Sequence, residues 1–440
     1  MTRRDCTCDA AGLSPLPYMS LVRAVRGMND LLPAEMTKWA WVESTFADAL
    51  SRAAFAEVRT PIVEATPLFV RAVGETTDVV EKEMYSFVHH DDALTLRPEG
   101  TAGAVRAYLE HTVHAREPIT RWYYAGPMFR GERPAKGRYR QFYQIGAEIL
   151  GDAGPGCDAE LIDLLHGVLQ ALRIPDVEVI VNSLGGPTTR ERYREALIRY
   201  FEPLKDKLSA DSQRRLSTNA LRILDSKNTG DRELAANAPT LHEFLSPEDD
   251  AHFALFLRCL DALGTPYRVE PRLVRGLDYY TRTLFEMKAS RETLGAGDTV
   301  LGGGRYDGLV AELGGPQTPA VGFAAGLERL MIASSFETPA RKTDAYVVPL
   351  GDEAKLRALV LGRDLRRHGC QVEIDTRGTS LKSQLRRADA LASRFALIIG
   401  DSEIAEGVVV VKDLVEHSQS KVATSEVAAH VANVCARGSK

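Results

Sequence analysis

The feature that most restricts this chain is a pair of strand-forming runs, residues 122–129 and 139–150, with an arginine-rich stretch between them. Both runs are dense in aromatic and branched side chains, which suit a pleated surface. Two such runs joined by a loop over residues 130–137 predict an antiparallel hairpin. Arg130, Arg133, Arg138 and Arg140 gather at its tip. Period-two spacing puts Phe142, Gln144, Gly146 and Glu148 on one face of the return strand. A ring, an amide and a carboxylate make a poor core face and a serviceable ligand floor. The planar guanidinium suits phosphate because it offers paired donors and stays charged. Arginines alone would favour a solvated basic hairpin; the interleaved Phe142, Gln144 and Glu148 tip the balance towards a site.

Elsewhere the pattern is mixed. A helix is expected over residues 35–54, then a short strand at 56–59 and an irregular stretch punctuated by Pro61 and Pro67. Another helix starts near Thr101. Residues 158–172 suit a helix and 177–182 a strand. From 188 to 262 the chain is charged and helical in pattern, an inserted module. Strands return at 267–269, 284–288 and 300–301, and a helix is expected over 322–333. Residues 334–343 form a polar linker. Beyond it, strands at 344–350, 371–375, 395–400 and 407–412 alternate with helices at 353–368, 381–391 and 425–436. That alternation predicts a small α/β domain.

A length of 440 residues allows two or three domains of about 100–200 residues each. The hydrophobic and charged shares are those of an ordinary soluble globular protein, with no need of disulfides. The net charge of −5 hides a slight basic excess beyond residue 340 on an acidic body, so a polyanion could meet the last domain. Cys6, Cys8, Cys157, Cys259, Cys370 and Cys435 form no disulfide framework, and the Cys6–Cys8 pair lacks the partners a zinc site needs. His89-His90 beside Asp91-Asp92 is a hairpin turn rather than a metal site, and no metal is expected from protein clusters. No apolar run of about 18 residues exists, so no membrane span is predicted. Residues 1–20 lack a signal-peptide core and are expected to be a disordered tail, with Met19 an alternative start. Cytoplasmic localisation follows by default.

Arg130-Gly131-Glu132 resembles the second signature of class II aminoacyl-tRNA synthetases. The run GFAAGLER at 322–329 resembles the third, a small-residue strand-to-helix turn ending in arginine; the first is matched only loosely, at 35–61. Within that class, RGLDYY at 275–280 and GGGRYDGL at 302–309 are similar to two motifs particular to histidyl-tRNA synthetases. Residues 66–87 and 94–111 are also similar to that family. The resemblance runs from about residue 22 onward and is less specific beyond 340.

The resemblance implies an α/β multidomain fold. A class II catalytic domain at 21–340 would hold a mixed, mostly antiparallel sheet flanked by helices, with a helical insertion at about 186–264. An α/β anticodon-binding domain would occupy 341–440. It implies ATP as substrate with Mg²⁺ bound to it, L-histidine, tRNA(His), and a homodimer. Carried over, Glu99, Gly100 and Thr101 with Gln144 surround the α-amino group. Glu148 and Tyr280 grip the imidazole, and Tyr279 and Tyr306 shape its pocket. Arg130 and Arg275 clamp the α-phosphate and the attacking carboxylate. Glu132 belongs to the ATP site, Arg138 and Arg329 hold the outer phosphates, and Phe142 stacks on adenine. Lys382, Arg386 and Arg387 are candidate tRNA contacts; a solvated helix face is the plain alternative. Lys227 and Asn228 have a structural role or touch the acceptor stem. The rival is a histidine-binding regulatory subunit of ATP phosphoribosyltransferase. Such proteins lose the anticodon domain and parts of the catalytic set, whereas Arg275, Arg329 and a full last domain are present here. A non-catalytic RNA-binding module would leave the phosphate arginines unexplained.

Overall fold

The computed structural model describes residues 21–74, 77–224, 226, 228–274, 279–290, 294, 297–337 and 343–438. The expected tail, Lys227 and Arg275 lie outside the described residues. The chain divides into two compact units, Met1–Phe336 and Glu337–Lys440.

The first unit runs α1 (Pro33–Arg52), β1 (Ala56–Glu57), β2 (Val63–Ala65), α2 (Thr66–Val73), β3 (Tyr85–His89), β4 (Asp92–Leu96), α3 (Thr101–Glu110), β5 (Thr120–Phe129) and β6 (Gln141–Leu150). It continues with α4 (Pro155–Ala171), β7 (Glu178–Ser183), α5 (Pro187–Phe201), α6 (Ala210–Thr218), α7 (Thr229–Ala235), α8 (Pro247–Leu263), β8 (Arg268–Val269), β9 (Thr281–Lys288), β10 (Thr299–Arg305), α9 (Leu309–Glu312), β11 (Ala320–Gly326) and α10 (Leu327–Ala333). Eight strands form one sheet in the order β1-β5-β6-β11-β10-β9-β7-β8, parallel at its two ends and antiparallel between. The hairpin is its spine: β5 and β6 pair from Thr120↔Leu150 to Phe129↔Gln141. A smaller sheet, β2-β4-β3, stands apart, with the turn at His90 where a left-handed residue links β3 to β4.

Alternation along the strands sends the two faces of the large sheet to different cores. Ile145, Ala147 and Ile149 of β6, Val321, Phe323 and Ala325 of β11, and Phe285 and Met287 of β9 pack in one cluster with Trp39, Val42, Phe46 and Leu50 of α1 and with α4. The α1 residues recur at helical spacing, which is why that helix presents one apolar stripe. Truncating a side chain such as the fully buried Phe46 to Ala would cost about 3–5 kcal/mol. The opposite face gives Leu150, Ile180, Leu284 and Ala320 to a second cluster, packed with Ala102, Val105 and Tyr108 of α3 and with the helices that follow β7.

One expectation is corrected. Residues 322–326 are not the start of a helix but the end of β11; the helix opens only at Leu327. Their small side chains carry little strand preference of their own. Lying between β6 and β10, they are paired on both sides, and tertiary pairing overrides propensity.

The second unit is β12 (Ala345–Pro349), α11 (Asp352–Arg367), β13 (Val372–Ile374), α12 (Leu381–Ala390), β14 (Phe395–Ile399), α13 (Asp401–Glu406), β15 (Val408–Asp413), β16 (Ser418–Ala423) and α14 (Val427–Gly438). Its sheet runs β13-β12-β14-β15-β16, with the first three strands parallel. The short α13 and the edge strand β16 are additions to the expected alternation.

Candidate active site

Strand register builds the site. Glu148 lies opposite Gly322, Gly146 opposite Ala324 and Gln144 opposite Gly326. Ala324 and Gly322 in turn face Gly302 and Gly304. The middle of this face is therefore a flat floor of glycine and alanine, with functional groups on the strands that flank it. Space enforces the glycines. A Cβ on Gly322 would run into the Glu148 carboxylate, and one on Gly100 would run into the Tyr124 ring.

Two chambers stand on this floor. The inner, of about 210 Å³, is lined by Glu99, Thr101, Glu148, Tyr279, Tyr280 and Tyr306, with Val79 as a wall. The outer, of about 430 Å³, is lined by Glu132, Arg138, Phe142, Glu286 and Arg329 among others. Arg130, Gln144, Gly302 and Ala324 line both and mark their junction.

The inner chamber is polar and opens into the outer one at the junction. Glu148 is fully buried and accepts hydrogen bonds from the hydroxyls of Tyr124 (2.9 Å) and Tyr306. Burial pushes its carboxyl up to about 8, against the pull of those donors. The Tyr279 ring lies 4.8 Å from that of Tyr280 and 5.6 Å, edge-on, from that of Tyr306. Glu99 caps α3, accepting the backbone N–H groups of Thr101 (2.7 Å) and Ala102 (2.8 Å). Burial raises its pKa and those two donors oppose the shift. Each carboxylate oxygen retains a free lone pair after one such bond. At the junction, Gln144 Oε1 is buried without a hydrogen-bond partner. Such an acceptor is costly to leave unpaired and is placed to take a donor that enters the chamber.

The outer chamber sets three guanidinium groups, Arg130, Arg138 and Arg329, among the carboxylates of Glu83, Glu132, Glu286 and Glu328. Arg130 donates from Nε to Pro98 O at 2.9 Å and lies 5.3 Å over the Phe142 ring. Arg138 pairs loosely with Glu132 at 3.7 Å. Arg329 donates to Gly297 O at 2.5 Å, while its Nε is buried and unpartnered. Burial, then the neighbouring Arg138, lowers the pKa of Arg329. Two crowded guanidinium groups are what an incoming polyphosphate relieves. Among the described residues no cluster of three or more His, Cys, Asp or Glu groups is arranged for a metal.

The structure thus brings together Arg130, Glu99, Gly100, Thr101, Gln144, Glu148, Tyr279, Tyr280, Tyr306, Glu132, Arg138, Phe142 and Arg329; Arg275 lies outside the described residues. Tyr124 and Glu286 were missed. Tyr124 sits opposite Gly146 and Glu286 opposite Gly302. The signal was the register of neighbouring strands, which no single run of sequence reveals.

The family model described as Histidyl-tRNA synthetase matches residues 27–330, and the Anticodon binding domain model matches 344–433. This chain belongs to the histidyl-tRNA synthetase family. A Histidine--tRNA ligase of Sorangium cellulosum is 57% identical over 91% of this chain and 94% of its own length. One of a Synechocystis species is 47% identical, covering 94% and 93%. The solved structure of apo S. aureus histidyl-tRNA synthetase is 33% identical, with a TM-score of 0.80 over 94% of this chain and 100% of that one. The mixed sheet with flanking helices and the α/β second unit are this family's architecture.

Proposed function

We propose that this chain activates L-histidine with ATP and transfers it to the 3′ end of tRNA(His). The observation that carries this reading is the junction of the two chambers. The bond to be made joins the amino-acid carboxylate to the α-phosphorus, so both must meet in one place. Histidine fits the inner chamber. Its imidazole meets Glu148 and Tyr280 between Tyr279 and Tyr306, and its ammonium meets Glu99, Thr101 and the unpartnered Gln144 Oε1. ATP fits the outer chamber, its adenine on Phe142 beside Glu132 and its outer phosphates on Arg138 and Arg329. Arg130 then lies between carboxylate and α-phosphate, and the resemblance carried by RGLDYY assigns Arg275 to the same task.

The carboxylate oxygen attacks the α-phosphorus and pyrophosphate leaves with the electron pair of the broken P–O bond. No protein nucleophile is required; positioning and charge stabilisation supply the rate. The terminal ribose 3′-hydroxyl next attacks the acyl carbon, and AMP leaves. Mg²⁺ bound with ATP supplies further neutralisation of phosphate charge. The carboxylate of Glu286 would suit its hard oxygen preference. A pocket that hydrogen-bonds a polar side chain rejects analogues that leave it unpaired, often by about 10⁴. Lys382, Arg386 and Arg387 contact the tRNA, and the enzyme works as a cytoplasmic homodimer.

The regulatory-subunit reading is less supported, since Arg329 lines the outer chamber and residues 344–433 match an anticodon-binding domain. ATP–pyrophosphate exchange measured with each amino acid in turn tests the proposal. Exchange should depend on histidine; exchange without any amino acid, or with a different preferred one, sinks it.

A further inference from the structure

We propose that Arg215 and Arg222 of the helical module are positioning residues for histidine binding, acting through Asp78 on the segment that walls the inner chamber. The inference rests on the histidine reading of that chamber. The wall is the single helical turn Val79–Glu83. Val79 lines the inner chamber and Glu83 the outer, so this strap spans both.

Both ends of the strap are held. At its start the fully buried Thr77 donates from Oγ1 to Gly74 O at 2.9 Å. At its end Glu83 O accepts the backbone N–H of Gly131 at 2.6 Å, one residue from Arg130. Between them Asp78 faces the module. Its Oδ2 lies 3.6 Å from a guanidinium nitrogen of Arg215, on α6, and 3.6 Å from one of Arg222, in the turn Ala220–Ile223. Lys82 reaches Oδ1 at 3.2 Å from within the strap. The arginines are tied to one another, Arg215 Nη1 donating to Arg222 O at 3.4 Å.

A lone exposed ion pair would carry little weight. Here one carboxylate, 42% exposed, meets three cations, two of them on the Arg215 and Arg222 side chains that are only 26% and 16% exposed. Burial works to raise the Asp78 pKa, yet Lys82, Arg222 and Arg215 together hold it below its ordinary value. None of these groups touches the reacting atoms. What they set is the distance of Val79 from the floor, a contact made equally before and during reaction. Losing such a contact weakens substrate binding and spares the chemical step.

The test uses the full chain in histidine-dependent pyrophosphate exchange. The double variant Arg215→Ala/Arg222→Ala and the single variant Asp78→Asn approach the contact from its two sides. Each should raise the histidine KM about tenfold while kcat and the ATP KM stay within about twofold. Asp78→Glu should recover most of the loss, and Arg214→Ala, which breaks an exposed pair with Asp211, should match the parent. A parental histidine KM in both test variants, or a fall in kcat at unchanged KM, overturns the inference. A parent enzyme that exchanges without histidine overturns the functional reading instead, so the two failures are distinct.

Discussion

Glu148 shows how a single residue here trades stability for recognition. Folding raises its pKa from 4.5 to about 8, chiefly by burial. Between those values the native state binds more protons than the unfolded chain. The contribution of Glu148 is therefore complete below about pH 4.5 and is lost as pH rises through about 8. Glu148→Gln removes this dependence. The melting-temperature difference between variant and parent should move in the variant's favour between about pH 5 and pH 9. Histidine-dependent exchange should meanwhile fall by about a hundredfold, as for a buried hydrogen bond lost at a polar-reading site. A pH-independent difference in melting temperature would show that Glu148 is not buried as an acid. Gly322→Ala tests the same carboxylate from below. The added methyl collides with it, so kcat/KM for histidine should drop while the KM for ATP barely moves. At this scale the sequence was legible where the placement of a side chain follows one strand's alternation, as for Gln144 and Glu148. It was silent where function follows pairing: Tyr124 matters only because β5 sets its hydroxyl against Glu148.

The elements tell the same story with different reasons. The hairpin was visible because aromatic and branched residues mark both its strands. The last strand of the second unit was not. Its sequence, SQSKVA, is polar and mostly exposed, since an edge strand with one solvated face needs no apolar alternation. In β11 the small residues that make the floor flat are the ones that erase a strand signal. At the end of that strand the chain turns into α10 and presents Arg329 to the outer chamber. Arg329 is crowded by Arg138 and only partly satisfied, so it adds little to the unliganded fold. Arg329→Ala should leave the melting temperature nearly unchanged. It should raise the KM for ATP by about ten- to a hundredfold, the worth of one charge-assisted contact to phosphate. Enzyme kinetics with ATP varied at saturating histidine checks both; an unchanged ATP KM would remove Arg329 from the nucleotide site.

For the molecule as a whole, the proposed function divides two recognition tasks between the two units, and charge allows them to be separated. On that reading adenylate forms in the chambers of the first unit, and tRNA affinity also draws on the second, where α12 carries three basic residues with unequal freedom. Arg387 is engaged with Glu373 at 3.2 Å, whereas Lys382 and Arg386 are exposed and carry no side-chain partner among the described residues. Their spacing of four puts them on one helix face, as a phosphate track requires. A double variant, Lys382→Ala/Arg386→Ala, should leave pyrophosphate exchange at the parental rate and raise the KM for tRNA in aminoacylation. Because each lost phosphate contact releases fewer counterions, the dependence of log affinity on log salt should flatten by about one to two. Arg387→Ala should do less, since its guanidinium must first leave Glu373. Aminoacylation measured over a salt series gives the slope directly. An unchanged slope with a raised KM would mean that the face reads bases or shape rather than phosphate. An unchanged KM would return α12 to the role of a solvated surface.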